Sequence, residues 1–527
     1  MKNIEKDGVW FLPNNPEKQV YGKLTFSTDE SPKLFLFDQL QEVKFHDTIP
    51  IRLDFEIING YLVDGQKVTL CHCYQPIEFK TGIQTSTIHA RYLLIGHQFK
   101  TLKEIVLKGV SVRYKNLEEW INLPNFEINW SINEERKKER KKERKNIKEI
   151  NVKQKTLEPI ELGKLLDFSI ILYDETIDLQ KLQIANFIGR IGRKISLEEK
   201  KSITFRTDSE KSLEEIINVI YLFQELLIFA SGQMTYPYNI QSIIKVIEKD
   251  AKIPEHVYLD LITGSLPLKN IAKSELGFEI KAFEEEKEKL VAIEIYFNVG
   301  KLDNLDAKFD SQRVLFCFKD VKEQFDELLN LWERNSKDLE PIIDLYLRLM
   351  YVPRRHINDF FLSLAQAIEA FHSLAHDGSH LDKQVYKSVI RKTLEKAVDS
   401  IPDFVPSDNE QDSVDLRKYK MILKKEKLSH LNSYSLRERL EEIISEYRSC
   451  LPDNFFASSD EQNDFLKKIR KTRNYLTHLS SKKDKDVLSG QNLLLLTQKL
   501  KMVLEICLLK QLGLEDLDIK KMISENR

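Results

Sequence analysis

The residues best suited to chemistry in this 527-residue chain stand together near its end, as Arg473, Asn474, Tyr475, Leu476, Thr477 and His478. Histidine has an unperturbed pKa of ~6.5, so an imidazole can take or give a proton near neutral pH. Arginine carries a permanent planar charge that grips two phosphate oxygens at once. RNA cleavage without a metal needs little more. One group handles the proton of the 2′-hydroxyl or of the leaving oxygen, and another stabilises charge on the phosphorus oxygens. Positions four apart share a helical face, so Asn474 neighbours His478 and could orient its imidazole or contact the substrate. Arg473 and His478 are five apart, ~140° around an ideal helix. Either the helix distorts near Thr477, or a second copy of the chain completes the site.

The turns before this run add a reason for a polyanion to come here. Lys467, Lys468, Arg470, Lys471 and Arg473 put five cations within seven residues. A phosphodiester backbone is the obvious partner for such a strip. Lys467, Lys468, Arg470 and Lys471, with Tyr475, are the candidate RNA contacts, while Leu466, Ile469, Leu476 and Leu479 read as core-facing. The plain alternative is an exposed polar helix, because an arginine and a histidine five apart form a short pattern.

Two kinds of region must hold these residues. The first ~125 positions read as strands. Examples are Gln19–Phe26, Lys33–Phe37, Ile51–Ile57, Val68–Leu70, Arg91–Gly96, Glu104–Tyr114 and Asn125–Ile132. Such spacing predicts an antiparallel sandwich or a barrel-like sheet. A basic insertion, 134–155, follows. Between Arg136 and Lys155 it holds eleven Lys/Arg against three Glu, and it reads as a solvated helix or mobile segment. Further strands are expected at Leu166–Tyr173, Ser202–Thr207, Val257–Ile262 and Ala292–Phe297. Helices are expected from Ser212 to Ala230, where Ser212 and Glu215 have capping-box spacing, and from Phe318 to Arg334. Beyond Leu339 helical periodicity takes over, in Ile342–Met350, Asn358–Ala375, Asp382–Ser400, Leu436–Cys450, Asp460–Leu479 and Leu488–Leu512. The fold class expected is α+β, with a β-rich, sandwich-like α+β region over 1–338 and an all-α helical bundle over 339–527.

Composition supports a soluble globular protein, at 42% hydrophobic and 31% charged residues with a net charge of −2. The most apolar window, Ile216–Ala230, contains Gln224 and Glu225 and is too short to span a bilayer. No membrane association is expected. No secretory leader is read at the start, and five scattered cysteines, at 71, 73, 317, 450 and 507, fit a reducing cytoplasm.

The run Arg473-Asn474-Tyr475-Leu476-Thr477-His478 resembles the R-N-x-x-x-H signature of HEPN ribonucleases. The stretch Phe360–His372 is similar to the first core helix of ApeA-type HEPN domains. Gly22-Lys23-Leu24, Leu93–His97 and Leu117–Trp120 are similar to the ApeA N-terminal domain. This resemblance to ApeA-like anti-phage proteins implies a bacterial abortive-infection endoribonuclease. Such an enzyme cleaves RNA without a metal or other cofactor and leaves a 2′,3′-cyclic phosphate. Arg473 and His478 carry over as the catalytic pair, Asn474 as the residue beside the arginine, and Glu369 as an acidic partner from the other helix. It also implies a homodimer through the HEPN domain, RNA as substrate with tRNA one candidate, and an N-terminal region that senses a phage-derived trigger or restrains activity.

Other motifs weigh less. Glu369, His372 and His376 stand at i, i+3 and i+7, a spacing that metal sites use, but no second ligand-bearing helix matches them. Cys71-His72-Cys73 lacks a second cysteine pair, so buried strand residues are the simpler reading. Ile188–Gly192 lacks the third glycine of a nucleotide loop, and no G-x4-G-K-[ST] run exists, so ATP dependence is not expected. The rival to an enzyme is a non-catalytic HEPN module that binds nucleic acid or a protein.

Overall fold

The computed structural model describes residues 3–41, 52–76, 85–124, 126–132, 147–154, 158–174, 199–252, 283–300, 308–351, 356–376, 378–405, 414–478 and 485–525. They fall into two compact units. The first comprises Met1–Gln224 and Thr235–Ala307. The second comprises Glu225–Met234 and Lys308–Arg527. The chain is thus α+β, β-rich first and helical afterwards.

Six strands open the first unit: β1 (Ile4–Leu12), β2 (Asn15–Ser27), β3 (Glu30–Leu36), β4 (Arg52–Leu62), β5 (Lys67–Pro76) and β6 (Ser86–Ile95). All pair antiparallel, in the ring β1-β2-β3-β6-β5-β4 and back to β1. Of the two architectures the strand spacing allowed, the closed barrel is the one formed. Closure leaves these strands no open edge to recruit other chains. Alternation explains it locally: Val20, Leu24, Phe26, Leu34, Leu36, Phe55, Val68, Leu70, Ile88 and Ala90 point inward and fill the barrel.

Trp10 is the largest plug, fully buried, with Nε1 3.4 Å from the carbonyl of Gly22. Its ring lies so close to Gly60 that a Cβ there would stand 2.4 Å from Trp10 Cε3. Trp10→Ala is therefore expected to destabilise the barrel by about 3–5 kcal/mol, because the cavity cannot collapse fully. Chemical denaturation followed by far-UV circular dichroism would show it, and a loss under ~1 kcal/mol would contradict this packing.

Beyond the ring, β6 passes to β14 (Phe283–Phe297), and the sheet continues β14-β13-β7-β12-β11-β10. These strands are β7 (Val106–Tyr114), β10 (Ile160–Leu165), β11 (Phe168–Asp174), β12 (Lys201–Ser212) and β13 (Pro237–Lys252). Against them lie helices α1 (Leu117–Ile121) and α2 (Leu213–Ser231). The expected capping box forms: Glu215 N donates to Ser212 Oγ at 3.3 Å, and Ser212 N donates to Glu215 Oε2 at 2.8 Å. Phe223 of α2 packs on Tyr114, Phe205 and Trp120. Ile147–Gln154, in the basic insertion, is strand β9, paired with β8 (Phe126–Ile132). A wholly helical or mobile insertion is thus corrected for that half: its β-branched Ile147, Ile150 and Val152 supply the pattern of a strand. The earlier residues of the insertion, Val257–Ile262 and Ile188–Gly192 lie outside the described residues.

The second unit starts with the last turns of α2. Phe229 stacks on Trp332 at 5.8 Å and meets Tyr346 edge-on at 5.5 Å. Trp332 belongs to α3 (Phe325–Asp338) and Tyr346 to α4 (Glu340–Tyr351). Leu339, where the change of character falls in the sequence, lies between them within this unit. Then come α5 (Ile357–Ala375), α6 (Leu436–Glu446), α7 (Ser459–His478), α8 (Gly490–Gln511) and α9 (Asp516–Glu525). Helix α8 is apolar nearly all round and accordingly central, with Leu493, Leu500, Leu504, Cys507 and Leu509 fully buried. Between α5 and α6, irregular helical segments 383–399 and 417–430 run side by side, joined where Tyr386 donates its hydroxyl to the carbonyl of Leu428. Among the described residues no helix is long and apolar enough to cross a membrane.

Candidate active site

Helix α7 carries the run that opened the sequence analysis. Ser458 accepts from Glu461 N at 3.2 Å, and Asp460 and Glu461 lie in the first turn, where the helix dipole favours acid. Phe465, Leu466, Ile469 and Thr472 are buried. Leu476 is only half-buried and Leu479 lies outside the described residues, so the core stripe ends earlier than the leucines suggest. Thr472 fills that place because its hydroxyl has a partner, accepting from Leu488 N at 3.1 Å.

The core stripe sends Arg473 to the flank facing α5. There Arg473 Nη2 donates to Glu369 Oε2 at 3.1 Å and Oε1 at 3.4 Å. Both side chains are about a third exposed, Arg473 at 33% and Glu369 at 28%, so the pair sits at a wet surface that a polyanion can reach. Nη1 faces Asn474 Oδ1 at 3.5 Å. Asn474 and His478 are exposed, and Tyr475 is half-buried. Helix α7 runs unbroken through His478, and Thr477 Oγ1 donates to the carbonyl of Arg473 at 2.8 Å. The helix therefore shows no break near Thr477, and the threonine hydroxyl back-bonds to the preceding turn without ending it. Asn474 and His478 lie on the exposed side, and among the described residues no hydrogen bond joins them.

The basic strip is more balanced than its composition suggests. Lys467 pairs with Asp486 at 2.8 Å and Lys468 with Asp464 at 2.5 Å. Arg470 is exposed and Lys471 half-buried.

On α5, His372 and His376 are engaged away from Glu369. His372, fully buried, places Nε2 2.8 Å from Glu442 Oε2 and Nδ1 3.2 Å from Arg439 Nη1. His376 Nε2 stands 3.4 Å from Glu446 Oε2. The carboxylate of Glu369 is turned to Arg473 instead, so the i, i+3, i+7 trio does not converge. Among the described residues no cluster of His, Cys, Asp or Glu is placed to hold a metal ion. In the barrel, Cys71 and Cys73 are buried while His72 meets Glu214 at 2.7 Å. Burial raises both thiol pKa values and disfavours the thiolate.

Burial also pulls the His372 pKa below its usual value. A histidine kept neutral in the fold is protonated first in the unfolded chain, so stability falls as pH drops below ~6.5. One such group contributes a slope of at most about 1.4 kcal/mol per pH unit. Thermal melts of wild type and His372→Gln between pH 7 and 5 should therefore converge as the pH falls. Parallel curves would rule out this contribution.

Sequence reasoning passed over Arg439 and Glu442, which hold His372, and Thr472. The only local signal was Ser435 with Glu438, a capping box that starts α6 and fixes the phase of both residues: Ser435 N donates to Glu438 Oε2 at 2.7 Å.

A helical unit bearing this run on one helix and its acidic partner on another is a HEPN domain: residues 362–517 match the family model described as Apea-like HEPN. Residues 5–332 match the model described as ApeA N-terminal domain 1, more than half of the chain. The chain therefore belongs to the ApeA-like family, as an anti-phage defence HEPN protein. No curated protein and no solved structure matches it.

Proposed function

We propose that this protein is a metal-independent endoribonuclease acting in abortive infection, with RNA, tRNA among it, as substrate. Arg473 binds the scissile phosphate. His478 takes the proton of the 2′-hydroxyl, the 2′-oxygen attacks phosphorus, and the bond to the 5′-oxygen breaks as that oxygen regains a proton. The products are a 2′,3′-cyclic phosphate and a 5′-hydroxyl. Asn474 borders the site, Glu369 orients Arg473, and Lys467, Lys468, Arg470, Lys471 and Tyr475 line the approach. Helix α7 is unbroken through His478, and five positions on an α-helix set Arg473 and His478 ~140° apart, so a homodimer completes the cleft. The N-terminal unit senses a phage-derived trigger or restrains the nuclease, in the cytoplasm.

The observation that carries this reading is the meeting of Glu369 with Arg473. It spans two helices and 104 positions of sequence, and it orients a guanidinium at an open surface beside Asn474. The test is cleavage of single-stranded RNA by the purified full chain in EDTA, with the 3′ ends analysed for cyclic phosphate. His478→Ala should abolish it. Wild-type cleavage by that variant would overturn the assignment. Binding of RNA by wild type without cleavage would favour the non-catalytic module.

A further inference from the structure

Helix α6 holds α5 at the turn that carries Glu369, and one guanidinium makes most of the grip. Arg439 Nη1 donates to Ser373 Oγ at 2.6 Å, to His372 Nδ1 at 3.2 Å and to the Glu369 carbonyl at 3.4 Å. Its Nε donates to the Tyr434 carbonyl at 3.1 Å, tying the loop before α6 into the same knot. Ser373 Oγ in turn donates to the Glu369 carbonyl at 2.8 Å. A guanidinium has donors only, so Nδ1 of His372 is the acceptor and the ring proton lies on Nε2, against Glu442 at 2.8 Å. Gly378 leaves room for this arrangement: at φ 57° it favours glycine, and a Cβ there would stand 2.6 Å from Arg439 Nη1.

Glu369 therefore has its backbone held from one side and its carboxylate offered to the other, where Arg473 waits. We propose that Arg439 is a positioning residue for the cleavage site. By fixing the Glu369–Ser373 turn, it sets where the carboxylate meets Arg473 and how that guanidinium is presented to a phosphate. The proposal rests on the reading of Arg473 as the phosphate-binding group. Arg439 itself contacts neither Arg473 nor His478 among the described residues. Its effect passes through Glu369, and it should appear in turnover more than in binding.

On that basis Arg439→Met, in the full chain, should lower the turnover of bound RNA about 10²-fold while leaving its Kd nearly unchanged. In a Glu369→Gln background the same substitution should cost nothing further. Losses that multiply would mean that Arg439 acts by another route, and the proposal would fall. Arg439→Lys keeps the charge and a compact ammonium donor without the planar fork, and it serves if the methionine variant does not fold; it too should be silent in the Glu369→Gln background. Should wild type cleave no RNA, the proposed function fails by itself. The positioning claim is then read from melting temperatures, as the coupling between Glu369→Gln and Arg473→Met in a double-mutant cycle. That coupling should vanish in the Arg439→Met background, and a coupling left undiminished would overturn the claim.

Discussion

An Arg473→Lys protein is expected to bind RNA with nearly wild-type affinity and to cleave it about 10²–10³-fold more slowly, the scale seen when a single charge-stabilising donor is removed from an active site. Lysine keeps the positive charge, so long-range attraction survives. What it lacks is the fork. Arg473 spends Nη2 on Glu369 and turns Nη1 toward Asn474 Oδ1, with a third of its side chain exposed. On the proposed reading, one side chain reaches a carboxylate and a phosphate together. An ammonium drawn to Glu369 has no fixed second edge to offer the phosphate. Single-turnover kinetics at saturating RNA isolate this loss from binding. A lysine variant with wild-type turnover would reduce Arg473 to one more member of the basic strip.

The second large effect concerns stability. Lys501→Met is expected to destabilise the helical unit by about 3 kcal/mol, at the low end of what removing one partner of a buried ion pair costs. Glu505 of α8 is fully buried and is held by the Lys501 ammonium one turn earlier and by Tyr346 Oη at 2.8 Å. Removing the lysine takes the cationic partner away from a carboxylate that stays in the core. Lys501 keeps 17% of its side-chain exposure, which is why the low end applies. Adding Glu505→Leu and Tyr346→Phe to Lys501→Met should recover most of the loss, since a well-packed apolar trio replaces the buried charges. Urea unfolding separates the outcomes. A single variant as stable as wild type would show that Glu505 is already uncharged or solvated in the fold.

Much of the architecture was legible because local chemistry and tertiary need agreed. Alternation in Gln19–Phe26 and Lys33–Phe37 marked strands whose inward residues fill the barrel. Ser212 with Glu215 marked the start of α2, and the apolar density of Leu493–Leu509 marked a buried helix. Ring closure was not legible, because it depends on β1 finding β4 and β3 finding β6, as in Gly8 against Leu62 and Lys33 against His89, pairings that no local signal encodes. The site shows the same division. The residues of α7 and the acidic Glu369 could be singled out, and Glu369 and Arg473 do meet. Leu476 misled, since its type suggested core while its phase put it half outside. Thr472 took the buried place through a hydroxyl whose partner, Leu488 N, no spacing announces. Arg439 could not be found either, because its acceptors on α5 lie 66 to 70 positions away and become neighbours only when the helices pack.

The sharing of α2 between two units bears on how such proteins can be rearranged. Phe229, near the end of a helix that begins against the sheet, is a core residue of the helical unit through Trp332 and Tyr346. A gene fusion that kept only the chain after Leu339 would deliver a helical module missing both Phe229 and Trp332, and so one flank of the packing around Tyr346. The heritable module is therefore larger than the HEPN stretch 362–517, since the helical unit also takes in Glu225–Met234 and the chain from Lys308. Any new domain grafted onto this helical unit must either arrive with its own aromatic plug or retain α2 as the graft point.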